Sequence, residues 1–167
     1  MNDTFTQIVR LGVLMLALAV ALYAADALYF APRRLPICVQ SALPEGRICL
    51  ETLLRTKKSR QQPGKYDIVW VDARSESDFE LNHLMMPDDR VFPIRPGSAM
   101  EHLLDAAIER LMEADERGEC IVVFCTQDCS ASSDIAEELR RTGLIKAPIY
   151  VLEGGWPALK QSSLVKD

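Results

Sequence analysis

The stretch IVVFCTQDCSASSDIAEEL, Ile121 to Leu139, decides the fold class. Ile121 to Phe124 is a short run of apolar, mostly β-branched residues, the pattern of a strand covered on both faces. It delivers Cys125 into a polar turn, and Cys129 follows four positions later. Ser130, Ser132 and Ser133 then open a segment whose apolar residues Ile135, Ala136 and Leu139 fall at helical spacing. A strand that passes through a tight turn into a helix belongs to a parallel sheet with helical crossovers.

The same alternation recurs outward from this stretch. On the N-terminal side, YDIVWVDAR is a second apolar run with Asp72 and Arg74 at its carboxyl end, and SESDFELNHL predicts one or two helical turns capped by Ser75. MMPDDRVFPIRPG, with its prolines, predicts a loop with an extended piece near Val91 to Ile94. A long amphipathic helix is expected from about Ser98 to Arg117, stopped by Gly118. Before all of these, ICLETLLRTKK predicts a short helix ending ahead of Pro63 and Gly64. On the C-terminal side, the helix from Ser132 to Thr142 ends at Gly143, PIYVL reads as a last strand and EGGWPAL as a turn. The fold class is α/β, with a central parallel sheet flanked by helices.

The chain has 167 residues, 49% apolar and 26% charged, a globular balance. A net charge of -5 without a basic stripe excludes a nucleic-acid partner. LGVLMLALAVALYAADALYF, Leu11 to Phe30, carries Asp26 as its single charge. Twenty helical residues at about 1.5 Å each span roughly 30 Å, the thickness of a bilayer core. Residues 1–31 are therefore expected to be a membrane anchor, or a signal peptide cut near Ala25 to Ala27. Residues 32–47 are expected to be a linker rich in proline, 48–162 the folded domain and 163–167 a tail. Arg33, Arg34 and Arg47 follow the span while Arg10 precedes it, which tilts a single-pass topology toward a cytoplasmic domain. Five cysteines cannot all pair internally, and Cys38, Cys49 and Cys120 read equally well as small apolar residues.

Ligands of open parallel sheets bind beyond the carboxyl ends of the strands, and Cys125 stands at such an end. The turn leads into a helix N-terminus, whose unpaired N–H groups and dipole stabilise a thiolate, a persulfide or a bound anion. Cysteine is also a common core residue, so position alone leaves both readings open.

Four pieces in order, IVWVDAR, DFELNHL, IVVFC and VLEGGWPAL, give the chain from about Ile48 to Lys160 a pattern that resembles the rhodanese-like domain, the single-domain sulfurtransferase family. The resemblance implies a five-stranded parallel sheet, no cofactor, and Cys125 as a nucleophile that carries sulfane sulfur as a persulfide between a small sulfur donor and a thiol acceptor or acceptor protein. It implies an active-site loop of Thr126, Gln127, Asp128, Ser130 and Ala131, supported by Asp72, Arg74, His83, Gly154 and Gly155. His83 resembles a residue the family uses structurally, and Trp156 is expected to pack rather than recognise substrate.

This sequence departs from the family pattern in its loop. CTQDCSAS offers Asp128 and no basic residue, a poor match for the thiosulfate dianion. The loop glycine is missing, one extra residue is suggested, and HLMMPDD stands where the family has a His-Ile-Pro-Gly-Ala motif. Cys129 is the sharpest departure: four residues from Cys125, it is a candidate resolving thiol that closes a disulfide, or a residue that packs beneath the loop. A metal site is not expected, because the two loop cysteines lack a second pair and His83 and His102 lack a partner. The leading expectation is a membrane-anchored sulfurtransferase. A dithiol redox protein using Cys125 with Cys129, and an inactive binding module on the same fold, stand beside it.

Overall fold

The computed structural model describes residues 12–22, 37–58, 66–97, 100–126, 129–162 and 164–165, with the single positions Gln7 and Ala24. Two compact units divide the chain, Met1–Arg34 and Leu35–Asp167. In the first, residues 12–22 are helical, and Val13, Leu14, Leu16 and Val20 are exposed. Among the described residues no helix is long and apolar enough to cross a membrane. The rest of the span expected over Leu11 to Phe30 lies largely outside the described residues.

The second unit is a five-stranded, fully parallel sheet in the order β1-β5-β4-β2-β3. The strands are β1 (Arg47–Ile48), β2 (Ile68–Asp72), β3 (Val91–Pro93), β4 (Cys120–Phe124) and β5 (Ile149–Leu152). The helices are α1 (Leu50–Thr56), α2 (Glu76–Leu81), α3 (Met100–Met112), α4 (Ala131–Arg141) and α5 (Gly155–Lys160), with short 3-10 turns at Gln40–Ala42 and Asp88–Arg90.

The apolar runs explain the layering. β2 and β4 are buried at every position, and successive side chains point to opposite faces. Val69, Val71, Ile121 and Val123 therefore meet Leu111 of α3 and Ile135 and Leu139 of α4 on one face. Ile68, Trp70, Val122 and Phe124 meet Leu53 of α1 and Trp156 and Leu159 of α5 on the other. Each such side chain contributes about 1.5–3 kcal/mol by leaving water.

Three elements differ from expectation. β1 takes Arg47 and Ile48, expected as the end of the linker and the start of the short helix, which begins at Leu50 instead. EGGWPAL, expected as a turn, continues into α5; Pro157 lies in its first turn, where a missing N–H costs nothing. The long helix ends at Met112 rather than Arg117, and its expected first residues 98–99 lie outside the described residues. Gly118, at φ +68°, then turns the chain toward β4. Ser75 caps α2 as expected, its hydroxyl oxygen accepting from the Asp78 amide.

Two features tie residues 38–43, within the stretch expected as linker, to the edge of the sheet. Cys38 and Cys49 form a disulfide. The Gln40 side chain donates to the Arg47 carbonyl at 2.9 Å and accepts from the Cys49 amide at 2.8 Å. Those are the two groups a neighbouring parallel strand would engage, so one side-chain amide stands in for a sixth strand at an otherwise open edge.

Candidate active site

The site grows from the register of the two central strands. Asp72 pairs with Phe124, so β2 and β4 end side by side, and the Ala73 amide donates to the Phe124 carbonyl at 2.8 Å. The next residue on β4 is Cys125, 4% exposed, with its Sγ 3.7 Å from the Ala73 carbonyl oxygen and 3.7 Å from Thr126 Oγ1. Cys125 and Cys129 are joined in a disulfide, their Cα atoms 6.1 Å apart. Cys129 is half-buried and faces a groove of about 1290 Å³, which Cys125 does not line.

The expected helix follows at once. α4 starts at Ala131, and the Ser133 and Asp134 amides donate to the Ser130 carbonyl at 2.9 and 3.0 Å. The Ser130 hydroxyl makes no capping bond to the helix it precedes. Of the other expected loop residues, Thr126 is exposed beside the disulfide, while Gln127 and Asp128 lie outside the described residues.

Asp72 and Arg74 form the frame behind the site. Both are 2% exposed, and the Arg74 guanidinium donates to both Asp72 carboxylate oxygens, the shortest contact being 2.6 Å. It also donates to the Asn82 carbonyl at 2.7 Å, and its flat face lies 3.7 Å from the centre of the Trp156 ring. Edge hydrogen bonds and face stacking together satisfy a guanidinium in a dry site. Trp156 in turn stacks on Phe124, centroids 6.0 Å apart, as the packing role expected of it requires.

The two glycines before Trp156 solve a close approach. Gly155, at φ +49°, brings its backbone so near the turn after β4 that a Cβ would sit 2.3 Å from the Cys125 carbonyl oxygen. The Trp156 amide donates to that oxygen at 2.7 Å. Gly154, at φ +74°, makes the preceding left-handed turn. His83 is exposed and packs edge-on against Phe79, centroids 5.5 Å apart, next to Asn82, whose carbonyl Arg74 engages. His102 is exposed on α3.

The remaining cysteine is of another kind. Cys120 is buried and unpaired, and burial pushes its thiol up to about 11. It is a core residue, protonated at neutral pH.

A family model for the rhodanese-like domain matches residues 56–162. The chain belongs to the rhodanese-like domain family. No curated protein matches it. A solved structure of the N-terminal domain of a protein from Clostridium difficile 630, named for ATP/GTP binding, is 21% identical. The likeness covers 69% of this chain and 96% of that one at a TM-score of 0.42. Membership in the rhodanese-like family fits sulfurtransferase-like or related chemistry at the level of the superfamily.

Sequence reasoning did not find three features beside this rhodanese-like site. One is the Cys38–Cys49 pair, for which the only sequence signal is two cysteines flanking the turn around Pro44 and Gly46. The second is the Gln40 plug. The third is the Arg47–Glu153 ion pair at 2.8 Å, which links β1 to the turn before α5. Cys38, Gln40, Arg47 and Cys49 all precede the matched residues 56–162.

Proposed function

We propose that this protein is a two-thiol rhodanese-like enzyme: Cys125 accepts sulfane sulfur as a persulfide and Cys129 resolves it. The observation that carries this reading is the Cys125–Cys129 disulfide at the carboxyl end of β4. In the first step the Cys125 thiolate attacks the outer sulfur of a persulfide donor, forming Cys125–S–SH and releasing the donor thiolate. In the second, the Cys129 thiolate attacks Cys125 Sγ, closing the disulfide and expelling hydrosulfide. An external dithiol resets the pair, giving up two electrons and becoming a disulfide itself.

A second reading is favoured by the access of the two sulfurs. Only Cys129 faces the groove, so the disulfide is open to an incoming thiolate at that atom, with Cys125 as the leaving group. On this reading the pair runs thiol–disulfide exchange with no sulfane sulfur.

Intact mass spectrometry of the full chain, reduced and then exposed to thiosulfate, a persulfide donor or mild peroxide, separates the two. Gain of one sulfur in Cys129→Ser and not in Cys125→Ser supports the persulfide route. A chain that never gains sulfur but loses two hydrogens only when both cysteines are present supports exchange alone. A chain that does neither is an inert module.

Leu11 to Phe30 is proposed as a single membrane anchor, supported by its one charge in twenty residues and by the helical, exposed apolar side chains of residues 12–22. The arginine count favours a cytoplasmic domain by a small margin, three after the span against one before. The Cys38–Cys49 disulfide argues the other way, because it lies outside the reactive loop and takes no part in the cycle. Disulfides persist where thiols are not kept reduced. We therefore propose an extracytoplasmic domain. A topology reporter fused after Asp167 tests it, and a reporter active only in the cytoplasm would contradict it.

A further inference from the structure

We infer that the groove beside Cys129 docks an extended, cysteine-bearing polypeptide segment of uncharged or basic character, and that this segment is the thiol that opens the Cys125–Cys129 disulfide. The inference rests on the two-thiol reading above and names the partner chemistry for it.

Size is the first argument. The groove holds about 1290 Å³, beyond the roughly 300–1,000 Å³ of small-molecule sites. A sulfur oxyanion would leave most of it empty.

The walls are the second. The lining joins Thr126, Cys129 and Ser133, from the loop after β4 and the start of α4, to the apolar residues Ile37, Val39, Leu43, Leu50 and Leu54. Ile37 is 91% exposed and Val39 55% exposed, apolar side chains with no cover among the described residues. They flank Cys38, which the disulfide to Cys49 holds in place, and Gln40 ties the same segment to β1. A covalently fixed apolar wall facing a reactive sulfur is a preformed surface for side chains.

Charge is the third. Among the described residues the charged ones lining the groove are Arg47, Glu51 and Glu153, and Arg47 is already paired with Glu153 at 2.8 Å. Glu51 tips the balance negative, which disfavours anionic sulfur donors and favours a neutral or basic segment. The apolar wall also precedes residues 56–162, which match the family.

In the docked complex the segment's thiolate attacks Cys129 Sγ. The Cys129–Cys125 bond breaks and Cys125 leaves as the thiolate. A second thiolate of the partner then attacks its own sulfur in the mixed disulfide, releasing the Cys129 thiolate. The partner ends oxidised by two electrons and the pair reduced.

The test follows the opening of the disulfide in the oxidised full chain by quenched alkylation and mass analysis. The probes are dithiothreitol, a short synthetic peptide with two cysteines set among leucines and lysines, and its counterpart with aspartates for lysines. The basic peptide is expected to react about tenfold or more faster than either other probe, and in Ile37→Ser/Val39→Ser, which removes the apolar wall without adding charge, its advantage over dithiothreitol should fall about tenfold. A basic peptide no faster than dithiothreitol overturns the docking surface and leaves the two-thiol reading standing. A disulfide that dithiothreitol does not open overturns both.

Discussion

The amide of Trp156 donates to the carbonyl of Cys125 at 2.7 Å, fastening the start of α5 to the first cysteine of the Cys125–Cys129 disulfide. The bond is short because Gly155 lets the two backbones meet; any side chain there points its Cβ at the Cys125 carbonyl, 2.3 Å away. Gly118 is the natural comparison, with a similar φ of +68° and nothing within 4 Å of the place a Cβ would take. Gly118→Ala should cost about 1–2 kcal/mol, the left-handed penalty alone. Gly155→Ala should cost clearly more and slow Cys125 chemistry, because the reactive turn must move. Urea unfolding of both variants, with alkylation rates of the reduced pair, checks the contrast.

The Asp72–Arg74 pair is expected to be far more costly to break than to remove. Asp72→Ala leaves a guanidinium buried without its counter-ion, a loss of about 3–5 kcal/mol. Replacing both residues with apolar ones of similar size should restore part of that. Arg74→Lys should also destabilise, since an ammonium cannot keep the two-oxygen bond to Asp72 and the stacking on Trp156 at 3.7 Å together. Denaturation midpoints of the single and double variants decide it.

Cys120 predicts an alkaline limit to stability. Its thiol is raised from 9.0 to about 11 by burial, so the folded state holds the proton more tightly than the unfolded chain does. This contribution is complete below pH 9 and is lost as the pH climbs through about 11, amounting to about 2–3 kcal/mol. Cys120→Ala, though less stable at neutral pH, should show a shallower fall in stability over that window. An unchanged slope would mean that Cys120 does not cause it.

The Cys38–Cys49 bond should stabilise the fold even though it lies outside the matched residues. Its sequence separation is 11, and closing a loop of that order is worth about 2–3 kcal/mol. Cys38→Ser with Cys49→Ser should lower the melting temperature under oxidising conditions, and the difference from wild type should disappear in strong reductant.

Most of the sheet and the place of Cys125 at the end of β4 are legible in the sequence for one physical reason. β2 and β4 are covered on both faces, which forces unbroken apolar runs, and Cys125 follows the second run directly. What escaped lacks such a signal. β1 is two residues long, too short for any period to show. α5 hides behind Gly154, Gly155 and Pro157, residues that mark turns in general and are tolerated here because the helix begins among them. The Cys38–Cys49 bond and the Gln40 plug join the edge of the sheet to a segment that reads as a linker, and a pairing across a turn leaves no periodic trace. Cys129 was recognisable as a partner for Cys125 by nearness; its place on the groove, with Cys125 shielded, needed the structure.

The central claim is that Cys129 resolves sulfur carried by Cys125, and the most direct measurement is hydrosulfide released by the reduced full chain after one equivalent of a persulfide donor, with the protein's mass read in parallel. The account predicts close to one hydrosulfide per chain and a protein two hydrogens lighter, while Cys129→Ser keeps one added sulfur and releases none. Equal release from wild type and Cys129→Ser, or a stable persulfide on wild-type Cys125 with Cys129 still a free thiol, would contradict it.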